Sequence, residues 1–340
     1  MAPMDHGVPP VTLPHPRGYV CYRAPSQIVI DGKLDDKAWE AAPWTAPHCD
    51  IEGDVKPDPP LRTREKLLWD DEYLYIGAEL EEPHVWATLS ERDSVIFQDN
   101  DFEVFIDPDG DNQEYYELEV NALSTCWDLL LTKAYKDGGA AVNGWDLKGL
   151  RVATHVDGTI NDPSDVDRGW TLEIAVPWKA LAECAHRPTP PKHGDVWRIN
   201  FSRVEWDVEV REGKYVKVLD RPEHNWIWSP QWVVDMHRPE TWGYLQFSTA
   251  APGSDRFVPD PAWEVRCTLH RIYYAQRAFR RENGRWARSL SELSLGPLPN
   301  PLPEIFVTPS LFEATMPAEA NGQAPRIWRI AGDGRFWGDL

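Results

Sequence analysis

Short stretches of alternating apolar and polar residues, each closed by Gly, Pro or Asp, recur across most of this chain. They fall at residues 27–30, 63–69, 73–80, 102–107, 114–120, 127–134, 150–155, 169–176, 196–205 and 241–247. A period of two places alternate side chains on opposite faces of a pleated strand, so each stretch can bury one face. Asp31-Gly32, Asp70-Asp71-Glu72 and Pro108-Asp109-Gly110-Asp111-Asn112 supply turn residues between or beside them. Roughly ten short strands with this punctuation predict an all-β fold, an antiparallel β-sandwich.

The texture changes at both ends. Residues 1–19 are Pro-rich and lack periodicity, and read as a loose arm. The sandwich is assigned to 20–250, with Ala251-Pro252-Gly253-Ser254-Asp255 as a linker. Residues 251–340 form a small α+β extension. In it Val265, Leu269, Ile272, Tyr273, Gln276 and Phe279 recur at three and four residues, predicting a helix over 263–282 that stops at Asn283-Gly284. A second short helix is expected at 289–293, and strands at 305–307 and 326–330. Residues 261–340 hold 10 Arg, no Lys and 8 acidic residues, a balance of +2. The whole chain carries −20, so the first 260 residues carry −22, and the sign changes at the proposed boundary.

An acidic surface of this size repels phosphate backbones, which argues against a nucleic-acid partner. No run of 18 apolar residues predicts a membrane span. No basic, apolar leader is visible, so the expectation is a cytoplasmic protein, or a periplasmic or secreted one if a leader has been removed. Cysteines 21, 49, 126, 184 and 267 form no C-x-x-C pair, and are expected to be mostly buried thiols. No G-x-S-x-G, P-loop, Rossmann glycine pattern or H-E-x-x-H occurs.

The acidic strand 99–107 carries the strongest chemical signal. Alternation puts Phe102, Val104 and Ile106 on one face and Asp101, Glu103 and Phe105 on the other. In the next strand Glu117, Glu119 and Asn121 share a face and can gather around Glu103, with Arg203 or a metal as counter-charge. Carboxylates beside aromatic rings suit a sugar, accepting from its hydroxyls while a ring covers its apolar face. Asp107, Asp109 and Asp111 alternate around a Gly turn, as in a calcium loop, although a plain polar turn has the same composition. Trp226, Trp228, Trp232 and Trp242, with His237, lie in loop-like sequence, where aromatics are less often pure core.

Taken in order, several segments resemble carbohydrate-binding module family 9 and its family-9-like domains. They are Ile30-Asp31-Gly32 with Asp35 and Trp39, Leu68 to Ile76, Asp99 to Asp107, and Gly169 to Trp178. Trp197 to Phe201, Trp228-Ser229-Pro230 and Trp242-Gly243-Tyr244-Leu245 complete the set. The resemblance covers about residues 20–248. It implies a β-sandwich with bound calcium and a site for sugar chain ends, clamped between two Trp. Here Phe97 stands at the first Trp position, Glu103 at the family's Glu, Glu117 at its Gln, and Met236 near the second Trp, with Trp232 and His237 close by. The stretch from Tyr273 to Leu293 also faintly resembles a bacterial pilin-like head.

The expected function is therefore non-catalytic carbohydrate binding in a bacterial glycan-handling system. Phe97, Glu103, Glu117, Asn121, Arg203, Trp228, Trp232 and His237 are the candidate ligand-binding residues, and Asp107, Asp109 and Asp111 the candidate calcium ligands. One alternative is a glycan-active hydrolase or lyase, with Glu103 and Glu117 or Glu119 as acid and base. Another is a haem-binding electron carrier with Met236 and His237 as axial ligands.

Overall fold

The structure is a computed structural model that describes residues 13–320 and 323–339. The strands are β1 (Gly18–Arg23), β2 (Cys49–Asp50), β3 (Thr63–Trp69), β4 (Tyr73–Glu81), β5 (Asp101–Asp107), β6 (Gln113–Asn121), β7 (Cys126–Lys133) and β8 (Ala141–Val142). They continue with β9 (Arg151–Asp157), β10 (Gly169–Pro177), β11 (Val196–Glu205), β12 (Val208–Arg211), β13 (Lys214–Lys217), β14 (His224–Ile227) and β15 (Gly243–Ser248). A short helix, α1 (Trp178–Leu181), follows β10.

One curled sheet runs β8-β7-β6-β5-β11-β15-β1-β3-β4-β10-β9, with β14 bridging β11 to β2. Its two halves face each other across a single core. Trp69, Ile76 and Leu172 from the β3–β4–β10 side pack with Phe102, Val104, Leu118 and Phe201 from the β5–β6–β11 side. Phe102 and Val104 lie on the face that alternation set apart in the acidic strand. Most pairings are antiparallel, but β1 pairs parallel with both β15 and β3, closing the seam between the halves.

The extension has its own core. Helix α2 (Trp263–Asn283) carries Glu264 in its first turn and Arg280 and Arg281 in its last, which complements the helix dipole. It ends at Gly284, whose φ of 68° is the left-handed cap that glycine adopts most easily. Leu269, Ile272 and Tyr273 pack on β17 (Phe312–Ala320), β18 (Gln323–Ala331) and β19 (Phe336–Gly338) through Phe312, Met316, Ile330 and Phe336. Strand β16 (Glu304–Val307) edges this four-stranded sheet. No helix among the described residues is long and apolar enough to cross a membrane.

Some expectations change. Residues 27–30 form no strand. Their backbone is anchored by side chains instead, with Val29 N–H donating to Asp36 at 2.7 Å and Asp31 and Gly32 N–H to Glu173 at 2.9 and 3.0 Å. Residues 1–12 of the proposed arm lie outside the described residues. Its remainder is held: His15 stacks on Tyr244, ring centroids 5.0 Å apart, and β1 begins at Gly18. The stretch around Trp226, read as loop, is β14.

Candidate functional site

Strand register builds the floor of the site. Glu103 lies opposite Glu119, Phe105 opposite Glu117, and Asp101 opposite Asn121. Glu119 in turn pairs with Trp127 on β7. Paired residues point to one side, so carboxylates and an indole line a single face across three strands. That face floors a cleft of about 600 Å³, lined by Phe97, Trp127, Tyr135, Met236 and His237 around Glu103, Glu117 and Glu119.

The floor is electrostatically tense. Burial pushes Glu103 up to about 7, and the charge of Glu223 adds to this. Burial raises Glu117 and Glu119 well above the usual carboxylate range, and the Glu103 charge raises both further. His237 is held down to about 4, mainly by burial. Its Nδ1 shares a 2.9 Å hydrogen bond with the Tyr115 hydroxyl, and its Nε2 faces Glu117 Oε1 at 4.0 Å. Nδ1 is thus engaged by Tyr115, while Nε2 lies beyond hydrogen-bond distance of Glu117. Lys136 also lines the cleft, its ammonium engaged 2.9 Å from Asp137 Oδ2 and 3.7 Å from Glu240 Oε2.

Of the expected ligand-binding residues, Phe97, Glu103, Glu117 and His237 come together in this cleft. Asn121 lies beneath it, holding the preceding loop through Leu89 O at 2.8 Å and Asp99 Oδ2 at 3.0 Å. Arg203 does not meet the carboxylates. It pairs with Phe102, so it points into the opposite face, where Glu82 and Glu205 bind it at 2.7 and 2.9 Å. Trp228 is sealed in the core against Phe201, 2% exposed. Trp232 packs over Gly53 and lines a separate hollow beside Trp263.

Trp127 and Tyr135 were missed as cleft residues. Trp127 could have been found by extending the hairpin register from β6 into β7. Tyr135 could not, because its position depends on the extension. It opens a short 3-10 turn, Tyr135–Asp137, whose Asp137 carboxylate accepts from the Tyr273 hydroxyl and Arg277 of α2.

Asp107, Asp109 and Asp111 each place a carboxylate oxygen within 4.8 Å of the others. Both oxygens of Asp107 accept backbone N–H groups, from Gly110 and Asn112, at 2.9 Å. Asp111 accepts from Gln113 N–H at 2.8 Å and from Arg335 Nε at 3.0 Å. These contacts organise the turn, and the three carboxylates also lie close enough together to face one cation. The same turn seats the extension, with Phe336 N–H on Asp111 O at 2.9 Å and Arg266 on Gly110 O at 3.1 Å.

Residues 30–232 match the family described as carbohydrate family 9 binding domain-like. The chain is 26% identical over 153 residues to exoglucanase XynX of Acetivibrio thermocellus, covering 45% of this chain and 12% of that protein. It is 31% identical over 98 residues to endo-1,4-beta-xylanase C of Paenibacillus barcinonensis, covering 29% and 8%. The matched stretches thus span only about a tenth of those relatives. Among solved structures, a candidate carbohydrate-binding protein from Bacteroides uniformis aligns with a TM-score of 0.50 at 16% identity, over 68% of this chain and 100% of that one. A carbohydrate binding module family 9 from Caldicellulosiruptor kristjanssonii, in complex with cellotriose, aligns with a TM-score of 0.43 at 16% identity, over 72% and 100%.

Proposed function

Because the chain belongs to the carbohydrate family 9 binding domain-like family, we propose that its β5–β6–β7 cleft binds carbohydrate without transforming it. One observation carries this reading. Three aromatic side chains, Phe97, Trp127 and Tyr135, line the same 600 Å³ space as Glu103, Glu117 and Glu119. Rings offer flat apolar surface to the C–H face of a pyranose, and carboxylates accept hydrogen bonds from its hydroxyls. Such a site suits a neutral saccharide end of one or a few units.

An acid/base pair is less well supported. A retaining pair flanks the scissile bond about 5–5.5 Å apart, with a group on each side. Glu103 and either Glu117 or Glu119 instead sit on neighbouring strands of one floor. Calorimetric titration with glucose, cellotriose and xylotriose tests the proposal, with chromatography of the same samples for cleavage products. Saturable binding with intact sugar is expected, weakened at least about tenfold in Glu103→Ala. No heat with any of a broad panel of glycans would overturn it, and released products would replace it with the enzymatic reading.

A further inference from the structure

Away from the cleft, residues of the sandwich and of the extension together line a second cavity of about 570 Å³. Two paired strands contribute their outer face to it. Val196 lies opposite Gln246 and Arg198 opposite Tyr244, while the intervening Trp197 and Leu245 belong to the core. Val258, Pro259 and Pro261 line it from the linker, and Arg266 from the first turn of α2.

Arg198 and Arg266 are only 2% and 5% exposed. They converge on Gly110, where a Cβ would lie 3.2 Å from Arg198 Cγ and 3.7 Å from Arg266 Nη2. Their counter-charge is incomplete. Arg198 Nη2 donates to the carbonyls of Pro239 and Glu240 at 3.3 and 3.1 Å, and to that of Trp242. Its Nε and Nη1 are buried with no hydrogen-bond partner, and among the described residues it forms no ion pair. Tyr244 stacks on this guanidinium at 4.0 Å, which orients the charge without neutralising it. Arg266 Nε, also without a hydrogen bond, faces Asp260 Oδ2 at 3.8 Å. That carboxylate already accepts from the Tyr244 hydroxyl at 2.9 Å and from Ala262 N–H at 2.8 Å. Of the other two acids lining the cavity, Asp255 accepts from the Ser248 hydroxyl and Asp109 from Asp111 N–H at 3.4 Å. Burial holds Arg198 below its ordinary value, and the Arg266 charge lowers it further. Buried positive charge in this state is costly, and an entering anion relieves the cost.

Volume selects the kind of anion. Organic ligands occupy sites of roughly 300–1,000 Å³, far larger than an inorganic oxyanion needs. The linker prolines and Val258 offer apolar wall to the body of such a molecule, and exposed Arg256 supplies a third cation. We propose that this cavity binds a small organic carboxylate, with Arg198 and Arg266 as its buried counter-charges. The inference stands apart from the carbohydrate reading, since cavity and cleft share no lining residue.

The test is calorimetric titration of the full chain with benzoate, D-glucuronate, inorganic phosphate and benzamide, the last matching benzoate in shape but lacking its charge. One saturable equivalent of at least one carboxylate is expected, weakening as salt is raised, with no uptake of benzamide. Arg266→Gln should weaken carboxylate binding at least about tenfold. Arg256→Gln should weaken it about threefold. Arg168→Gln, an exposed cation off the cavity, should leave it unchanged. Thermal melts report the folding of each variant, and the benzoate–benzamide comparison on the unmodified chain needs no variant to fold. Failure of both carboxylates to bind, or equal binding of benzamide, would overturn the proposal. So would uptake of phosphate alone, or carboxylate binding that survives intact in folded Arg266→Gln.

Discussion

His237 meets Tyr135 edge to face, with ring centroids 4.5 Å apart and planes at 73°. The contact joins two walls of the cleft that are far apart in sequence. Tyr135 is 48% exposed and has little packing of its own, so its position depends on the turn that carries it. That turn is clamped from below by α2, through Tyr273 and Arg277 on Asp137.

Arg277→Ala should therefore weaken carbohydrate binding without touching the ligand. The substitution removes a charge-assisted contact worth about 1.5–3 kcal/mol. Tm should fall modestly, and sugar affinity by about three- to tenfold as the Tyr135 turn loosens. Calorimetry alongside a thermal melt checks both.

Trp127→Ala tests the stacking wall directly. Its indole is only half-buried and lies over Glu119 in the ladder. Affinity should drop by about 1–3 kcal/mol, with little change in Tm. An unaltered affinity in a folded variant would remove Trp127 from the site.

Trp228→Ala should behave in the opposite way. This ring fills the core against Phe201 and covers Gly243. Its loss should cost about 3–5 kcal/mol of folding stability. Chemical denaturation measures this, and sugar affinity per folded molecule should stay near that of the unmodified chain.

His237 should contribute a loss of stability on acidification, opposite in sign to the contribution of the raised Glu103, Glu117 and Glu119 carboxyls, which bind protons more readily in the folded chain. Its folded value of about 4 lies below the ordinary 6.5. Burial is the main cause and Lys136 adds to it, against an opposing pull from Asp235. A depressed value means that the contribution is fully present above about pH 6.5 and is lost as the pH falls through about 4. The full loss amounts to about 3 kcal/mol. Melts of the unmodified chain and His237→Gln from pH 8 to pH 4 should converge at the acid end. Parallel curves would contradict this assignment.

Local patterns carried much of the architecture. The turn between β5 and β6 is short, so alternation alone was enough to place Glu103 and Glu117 on one face. The apolar period of α2 and its Gly284 stop were equally readable, since both depend on neighbours within a few residues. Arg203 was misplaced because its face depends on pairing β11 with β5, across about ninety residues of chain. Phe97 was legible through the family resemblance, although its own neighbourhood shows no strand pattern.

The amino-acid order alone determined most of the longer strands, the terminal helix and the acidic face of the central hairpin, because steric period and turn chemistry act over short separations. Tertiary structure decided which residues complete the cleft. It sealed Trp228 inside, turned Arg203 to the other side of the sheet, and brought Tyr135 to His237 on a turn braced by the extension. Those outcomes depend on the register of distant strands and on the docking of α2, which no local stretch of sequence encodes.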